Sequence, residues 1–248
     1  MRLPVFATRR PTVMVVSHER SGTHFLMNAI ARGYGYTARP WIDLDYSQLP
    51  INFFAPRILA KTLTRFADQQ VASIIKSHHA VDFFDGILDE VLDKVTIFYI
   101  HRDPVAVMLS FWRFINHWQW REGPKREDVL AFARAEPEGQ LMRYQMKQRR
   151  TMLDRWAAHV AGWTAAAARR PRLRLVRYDR LKDDYAATLT SFANLLEAKP
   201  QDLTPPPPDV GVIPGGPPRI EAAERDRDAL RALALAEVGD AMRKLGYG

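Results

Sequence analysis

The sequence predicts a single α/β domain in which helices cover both faces of a central parallel β-sheet. Short strand-like runs alternate with segments of helical periodicity, as in repeated strand–helix–strand units. The four runs are Val13–Val16, Val71–Lys76, Val95–Ile100 and Arg172–Tyr178. Polar side chains follow the first three runs directly, at the strand ends where open parallel sheets bind their ligands. We therefore look for function at one edge of this sheet.

Length and composition agree with one domain that spans residues 1–248. The chain has 248 residues, 47% of them hydrophobic, and no cysteine, which excludes disulfides and thiolate metal sites. The first eleven residues contain Pro and Arg in a pattern unlike a signal peptide, and no apolar run approaches membrane-spanning length. We expect a cytoplasmic protein without a membrane span.

The net charge of +8 favours phosphorylated or polyanionic partners, and one alternative is a basic nucleic-acid-binding module. The arginines are dispersed, however. The tightest pairs, Arg149-Arg150 and Arg169-Arg170, lie near predicted helix ends, where cations favour the helix dipole. We expect a solvated surface to account for most of this charge and no nucleic acid as partner.

The first strand and the first helix enclose a polar loop. Val13–Val16 is a β-branched apolar run, helical spacing begins at Phe25, and SHERSGTH lies between them. Backbone N–H groups converge at such a strand–loop–helix junction, and the helix dipole favours negative charge there. Arg20 adds a cation, while hydroxyls and a ring nitrogen come from Ser21, Thr23 and His24. This loop predicts a phosphate site, although it lacks the lysine and first glycine of a nucleotide-hydrolase P-loop.

The second predicted strand ends in chemistry-bearing side chains. The stretch Gly33–Pro56 has no sustained period and is interpreted as a long connection, with Asp43 and Asp45 as loop carboxylates. A short helix is predicted at Ile58–Phe66. The strand Val71–Lys76 then leads directly into Ser77, His78 and His79.

The third predicted strand leads into a second anion site. After a predicted helix at Phe83–Leu92, the strand Val95–Ile100 delivers His101-Arg102-Asp103-Pro104. Asp103 is a suitable N-cap, and proline suits the first helical position. Ser110 lies two helical turns after Asp103 and projects from nearly the same face. Arg102 and Ser110 can therefore converge on one anion.

The remainder of the chain supplies further helices and one unusual loop. Thr151–Ala168 carries an apolar stripe with two tryptophans, and Tyr185–Leu196 is another predicted helix. Residues 199–220 contain PPPP and PGGPP, which predicts a mobile loop or lid. Glu221–Leu245 is predicted as a closing helix, with Gly246 as its C-cap signal.

In their order and placement, these junctions resemble the sulfotransferases that use 3′-phosphoadenosine-5′-phosphosulfate (PAPS). HERSGTHF at 18–25 is similar to the 5′-phosphosulfate loop of that family, and Lys76-Ser77-His78 resembles its K-[ST]-H. Arg102 to Ser110, RDPVAVMLS, is similar to its 3′-phosphate motif, and Tyr178-Asp179 resembles a later strand-end motif. The resemblance covers residues 11–196 well and implies the P-loop-like sulfotransferase fold.

The resemblance implies a reaction and a set of site residues. The sulfuryl group of PAPS would pass to a hydroxyl of an acceptor, leaving PAP, with catalysis chiefly by positioning and charge stabilisation. The implied catalytic residues are His78 as base, with Lys76 and Arg20. The implied donor-binding residues are Arg20, Ser21, Gly22, Thr23, His24, Phe25, Arg102, Ser110, Tyr178 and Arg219.

Several features leave alternatives open. Glu19 and Arg20 replace the proline and lysine of the family loop, and His24 is a second candidate for the base. The late R-K-G…G-D-W motif of the family is missing, with Arg219 as its only substitute. No cluster of ligands suggests a metal. A nucleotide kinase-like phosphotransferase remains an alternative, as does a protein that kept the fold and lost the chemistry.

The acceptor is expected to be a small molecule or a saccharide. Tryptophan rings can stack on sugar faces, and packing in the core would explain the same residues equally well. The tryptophans considered for this role are Trp41, Trp112 and Trp120.

Overall fold

A computed structural model describes residues 10–45, 54–117, 123–206 and 226–248 of the chain. Its centre is a five-stranded parallel sheet of order β2-β3-β1-β4-β5. The strands are β1 (Thr12–Ser17), β2 (Thr37–Asp43), β3 (Ser73–Ser77), β4 (Val95–His101) and β5 (Leu173–Arg177). The predicted fold class is confirmed.

Helices connect the strands and cover the sheet. The α-helices are α1 (Thr23–Tyr34), α2 (Pro56–Asp68), α3 (Leu88–Leu92), α4 (Pro104–His117), α5 (Val129–Arg134), α6 (Met152–Ala167), α7 (Tyr178–Asp183), α8 (Tyr185–Thr190) and α9 (Arg227–Lys244). Two 3₁₀ turns, Val81–Phe84 and Gly139–Tyr144, complete the described elements. In the part of the chain that the structure describes, no helix has the length and apolar character needed to cross a bilayer.

The two faces of the sheet bury separate apolar cores. Met14 and Val16 of β1 point into the larger core, which α2 to α6 and α9 share. Val13 and Val15 point to the opposite face, into a core with α1, α7 and α8. Every residue of β1 is buried, which explains why its sequence is continuously apolar instead of alternating.

Parallel pairing brings the strand ends to one edge of the sheet. Ser17 of β1 pairs in register with Ile100 of β4, and Val16 pairs with Ser77 of β3. His101 of β4 pairs with Arg177 of β5. The loops that follow β1, β3, β4 and β5 therefore emerge side by side, as the sequence predicts.

The interpretation of Gly33–Pro56 as a connection is wrong over its first half. It contains β2 (Thr37–Asp43), which joins the sheet edge beside β3. The sequence TARPWID has neither apolar alternation nor a buried run, because among the described strands β3 alone pairs with it. Pro40 within it is a residue that sheets tolerate chiefly at their edges.

Two predicted helices are shorter than expected. Phe83–Leu92 is divided between a 3₁₀ turn and α3, which a turn at Gly86 separates. Within Tyr185–Leu196, α8 ends at Thr190 and turns follow. Three short elements were not predicted: α5, α7 and the turn Gly139–Tyr144. Each has six residues, too few for a helical period to be read in the sequence.

The predicted caps and helical stripes are confirmed where the structure describes them. The backbone N–H of Ala106 donates to Asp103 Oδ1 at 3.1 Å, so Asp103 caps α4. Trp156 and Trp163 of α6 are fully buried. Trp112 is 6% exposed and belongs to the larger core, which removes it from the candidates for acceptor stacking. Trp120 lies outside the described residues.

Candidate active site

The loop between β1 and α1 has a strained backbone. Arg20 and Gly22 have φ values of 65° and 100°, in the left-handed region that glycine adopts most readily. The Tyr178 ring lies directly against Gly22, since a Cβ added there would be 2.3 Å from Tyr178 Cδ2. Glycine is therefore required at position 22 for two reasons: its backbone conformation and the close approach of the Tyr178 ring.

A buried ion pair holds the first half of this loop. Glu19 accepts two hydrogen bonds from Arg155 of α6, each of 2.7 Å, and both residues are buried. Burial opposes ionisation of Glu19, but the Arg155 charge and hydrogen bonds outweigh it and hold the Glu19 pKa well below its usual range. Removing one partner of such a pair leaves a buried charge and is strongly destabilising. The Glu19 carboxylate thus faces Arg155 instead of the predicted phosphate site, and the guanidinium balances its negative charge.

His18 also contacts Arg155, from which it accepts a hydrogen bond. Its Nε2 lies 2.7 Å from Arg155 Nη1, and a guanidinium can only donate. Burial, followed by the charge of Arg155, lowers the His18 pKa to about 3. His18 is therefore neutral at physiological pH and helps to fix Arg155 beneath the loop.

The second half of the loop offers donors to an anion. α1 begins at Thr23, so the backbone N–H groups of its first turn have no acceptor within the helix and can face a ligand. Ser21 Oγ is buried and has no hydrogen-bond partner in the described part of the chain. The Thr23 hydroxyl contacts the Ser17 hydroxyl at 2.7 Å. An unsatisfied buried hydroxyl beside a helix N-terminus fits a phosphate group.

Arg20 of the first loop lies close to Arg102, which follows β4, and to Arg113 of α4. We call these three residues the arginine cluster. Arg20 Nε donates to Ser110 Oγ at 3.1 Å, and its guanidinium lies 4.5 Å from the Phe114 ring centroid. Burial, then the charges of Arg102 and Arg113, lowers the Arg20 pKa to about 10. Cations held this close favour an anion between them, because it relieves their mutual repulsion.

Aromatic rings connect this cluster to the first loop. The Arg102 guanidinium lies 4.4 Å from the centroid of Tyr178, whose ring also covers Gly22. Phe25 packs edge-on against Tyr178, with centroids 5.8 Å apart. The two predicted anion sites therefore share one wall, made by Tyr178.

His78 is held as a neutral base at the end of β3. Its Nδ1 lies 2.9 Å from the Ser17 carbonyl oxygen, and because a carbonyl only accepts, Nδ1 carries the proton. The lone pair is then on Nε2. Burial, followed by the Lys76 charge, lowers the His78 pKa to about 4. Near pH 7 the ring is uncharged and able to accept a proton.

Lys76 is oriented by a carboxylate that the sequence analysis assigned to a loop. Asp43 at the end of β2 accepts a bond of 2.6 Å from Lys76 Nζ, and both side chains are about one-tenth exposed. Lys76 Nζ also lies 5.7 Å from the centroid of Trp41. Asp45 makes separate contacts, with Arg143 and Tyr144, at 2.8 Å each.

His24, the second candidate for the base, lies on the same side of the site. Its ring packs edge-on against Trp41 with centroids 4.8 Å apart. Burial, then the charges of Lys76 and His78, lowers its pKa to about 4. Both histidines are neutral near pH 7, so their protonation does not distinguish the two candidates.

Helix α6 supports several of the strand-end loops at once. Trp156 Nε1 donates to the carbonyl of Arg102 at 3.2 Å, and His159 Nε2 donates to the carbonyl of His78 at 3.1 Å. Trp163 Nε1 donates to the carbonyl of His79 at 3.1 Å. Together with Arg155, one helix thus fixes the loops after β1, β3 and β4.

The structure brings the predicted site residues to one edge of the sheet, with one exception. Arg219 lies outside the described residues, and its assignment stays a prediction. The predicted loop 199–220 is described only as far as residue 206. Sequence reasoning missed Arg155, His159 and Asp43. Arg155 and His159 lie four residues apart on one face of α6. This polar pair beside an apolar stripe was the sequence signal that could have identified them.

In the described ranges, no group of three or more histidine, aspartate or glutamate side chains is arranged to hold a metal ion. The fold and site thus define a parallel α/β protein with a phosphate-loop-like junction and an arginine cluster at the same sheet edge. The particular family follows from sequence comparison. Residues 10–205 match the sulfotransferase domain family, and the chain belongs to that family.

One solved structure shares this fold, and two others align with lower scores. Mouse sulfotransferase SULT7A1, complexed with PAP, aligns with a TM-score of 0.53 at 19% identity, covering 79% of this chain and 62% of the mouse chain. Retinol dehydratase in complex with androsterone and PAP gives 0.48 at 17% identity, with 92% and 66% covered. A sulfotransferase from Alicyclobacillus acidocaldarius gives 0.46 at 12%, with 94% and 96% covered. Comparison with curated proteins finds no match.

This chain thus spans less than two thirds of the length of the first two of these structures.

Proposed function

We propose that this protein transfers the sulfuryl group of PAPS to a hydroxyl of an acceptor. The observation that carries the proposal is that the donor-rich loop before α1 and the arginine cluster share the Tyr178 wall, with a neutral histidine at the neighbouring strand end. PAPS carries phosphates at both the 5′ and the 3′ positions of adenosine. A donor of this shape can occupy both sites.

The first site suits the 5′-phosphosulfate. Ser21 Oγ, the N-terminal amides of α1 and the Thr23 hydroxyl are the donors, and Gly22 allows the backbone to approach. The unsatisfied Ser21 hydroxyl would gain an acceptor when a phosphate binds. Lys76 and His24 lie nearby and would face the sulfuryl oxygens.

The second site suits the 3′-phosphate, the group that distinguishes PAPS from ATP. Arg102 and Ser110 would bind it, and Arg20 already bonds Ser110. Charge-assisted bonds from guanidinium groups to phosphate are among the stronger hydrogen bonds in proteins. We propose that Arg20 also reaches the bridging oxygen, since it belongs to the first loop in the chain and contacts the second site. Tyr178 and Phe25 would flank the adenine.

His78 would act as the general base. During transfer, the acceptor oxygen forms a bond to sulfur, the bond from sulfur to the bridging phosphate oxygen breaks, and the acceptor proton passes to His78 Nε2. The bridging oxygen gains negative charge, which Lys76 and Arg20 would stabilise. His24 remains the alternative base.

We take the acceptor to be a small molecule or a saccharide, and not a nucleic acid. Trp41 supports this choice, because its half-buried ring lies beside Lys76 and His24. An aromatic face beside the reacting groups is suited to stack on a sugar ring or another apolar face of an acceptor. A cytoplasmic location is part of the proposal, in keeping with a chain that has no cysteine.

Thermal shift tests the proposal without knowledge of the acceptor. PAP should raise the melting temperature well above the shift produced by AMP, ADP or ATP, because it alone fills both sites. A ligand at a hundred times its Kd adds about 2.7 kcal/mol of apparent stability, which a thermal scan resolves. Arg102→Ala should reduce the PAP shift to the level of AMP, while Arg57→Ala, an exposed arginine paired with Glu90, should leave it unchanged.

The opposite pattern would favour a phosphotransferase. If ATP with magnesium stabilised the protein and PAP added nothing beyond AMP, the proposed function would be wrong. If PAP instead gives the larger shift, direct transfer of labelled sulfate from PAPS to a panel of phenols, alcohols and saccharides will identify the acceptor class.

A further inference from the structure

The C-terminal segment, residues 226–248, contacts the residue on each side of Arg102. The Tyr247 hydroxyl lies 2.9 Å from His101 Nδ1 and 3.3 Å from the His101 carbonyl oxygen, and both residues are buried. Arg231 Nη1 lies 2.8 Å from Asp103 Oδ2. The backbone on both sides of Arg102 is therefore tied to the last helix of the chain.

The same segment holds the end of β5, next to the stacking partner of Arg102. Arg177 lies 4.6 Å from the Tyr247 ring centroid and donates to the Leu245 carbonyl at 3.3 Å. Arg177 directly precedes Tyr178, on whose ring the Arg102 guanidinium stacks. Contacts from three parts of this segment thus converge on the surroundings of one side chain.

The geometry of the helix end places Tyr247. The backbone N–H of Tyr247 donates to Met242 at 2.9 Å, and that of Gly246 donates to Arg243 at 3.1 Å. This is the Schellman arrangement, with Gly246 at the left-handed position. Arg231 also donates to the Tyr247 carbonyl at 3.1 Å, so the two contacts to the Arg102 loop are linked to each other.

We propose that the C-terminal segment positions Arg102 and thereby sets the preference for a ligand with a 3′-phosphate. Tyr247 and Arg231 act as positioning residues through His101 and Asp103. The inference rests on the proposed function, in which Arg102 binds the 3′-phosphate. Hydrogen bonds to a phosphate depend on placement to within a fraction of an ångström, and a guanidinium fixed in advance loses less freedom on binding.

Isothermal titration with PAP and with AMP tests this role. Tyr247→Phe removes only the hydroxyl, and Arg231→Ala removes the ion pair. Each should raise the Kd of PAP about three- to tenfold, the range of one lost hydrogen bond, while the Kd of AMP changes less than twofold. Arg231→Lys should restore most of the PAP affinity. Arg243→Ala, on the exposed end of the same helix, is the matched control.

The outcomes separate this inference from the proposed function. An equal loss of PAP and AMP affinity would indicate a merely structural role and overturn the inference, as would unchanged PAP affinity in both variants. If the unaltered protein bound PAP no more tightly than AMP, the proposed function would fail first and this inference with it. Should Tyr247→Phe not fold, Arg231→Ala and Arg231→Lys give the same readout.

Discussion

At the scale of single residues, the hydrogen bond from His78 to Ser17 determines what the histidine can do. The bond places the proton on Nδ1 and leaves Nε2 to accept another. Burial, followed by the charge of Lys76, keeps the ring neutral, with a pKa of about 4. Lys76 therefore has two roles in the proposed reaction. It binds the sulfuryl oxygens, and its charge lowers the pKa of His78 and so disfavours protonation of the base.

His78→Ala should lower the rate of sulfuryl transfer by about a hundred- to ten-thousand-fold, the usual contribution of a general base. The PAP affinity should change little, because His78 is not itself one of the proposed donors to either phosphate. Because acid protonates His78 only near its lowered pKa, the rate should be constant between pH 6 and 8 and fall towards pH 4. Steady-state kinetics and titration with PAP measure the two effects.

His24→Ala provides the comparison. If this variant loses activity while His78→Ala retains near-normal turnover, the base belongs to the first loop and the assignment of His78 is wrong.

At the scale of elements, the site depends on how the loop after β1 meets α1 and α6. Arg155 of α6 holds the first half of the loop through Glu19 and His18. Gly22 begins the second half in the left-handed conformation, under the ring of Tyr178. An ion pair thus holds the first half of the loop, and an aromatic ring covers the second half. The first backbone amides of α1 can then face a ligand.

Gly22→Ala should weaken the binding of AMP and PAP alike by at least about tenfold. A Cβ at this position would lie 2.3 Å from Tyr178, so the loop or the ring must move. Gly86→Ala is the matched control, because Gly86 also has a positive φ, of 71°, but no described residue comes within 4 Å of an added Cβ. That variant should lose about 1 kcal/mol of stability and keep its ligand affinity.

Isothermal titration with both ligands, together with a melting curve for each variant, checks this prediction. If Gly86→Ala weakened ligand binding as much as Gly22→Ala, backbone strain alone would explain the result and the contact with Tyr178 would be irrelevant.

At the scale of the whole molecule, six described histidines are held neutral, all chiefly by burial. The pKa is lowered to about 3 for His18 and His79 and to about 4 for His24, His78 and His101, and it lies well below its usual value for His159. The unfolded chain, in which these rings have pKa values near 6.5, binds protons that the folded chain does not. Protonation therefore favours unfolding.

The stability of the protein should fall steeply as the pH is lowered from about 6.5 to about 4.5. In this window each histidine that is neutral in the native state and protonated in the unfolded state removes up to about 1.4 kcal/mol per pH unit. The free energy of unfolding, measured by urea titration at several pH values, should show this slope. A protein equally stable at pH 7 and pH 5 would contradict the histidine pKa shifts.

The sequence by itself determined the parallel sheet, the order of its junctions and the types of residue at each strand end. Strand β4 and the stripe of α6 could be predicted because buried elements must present apolar residues at a fixed period. The caps at Asp103 and Gly246 could be predicted because local backbone geometry favours few residue types there. Arg20, Lys76, His78 and Arg102 could be singled out because each ends a predicted strand or lies in the short stretch that follows one.

Only the tertiary structure decided which of these side chains meet. The partners of the first loop come from α6, more than a hundred residues away in the chain, and Asp43 belongs to an edge strand without an apolar pattern. The contacts of Tyr247 with the Arg102 loop join residues that are 146 positions apart. Ion pairs and hydrogen bonds of this kind leave no periodic signal, because they depend on the packing of whole helices against the sheet and not on local spacing.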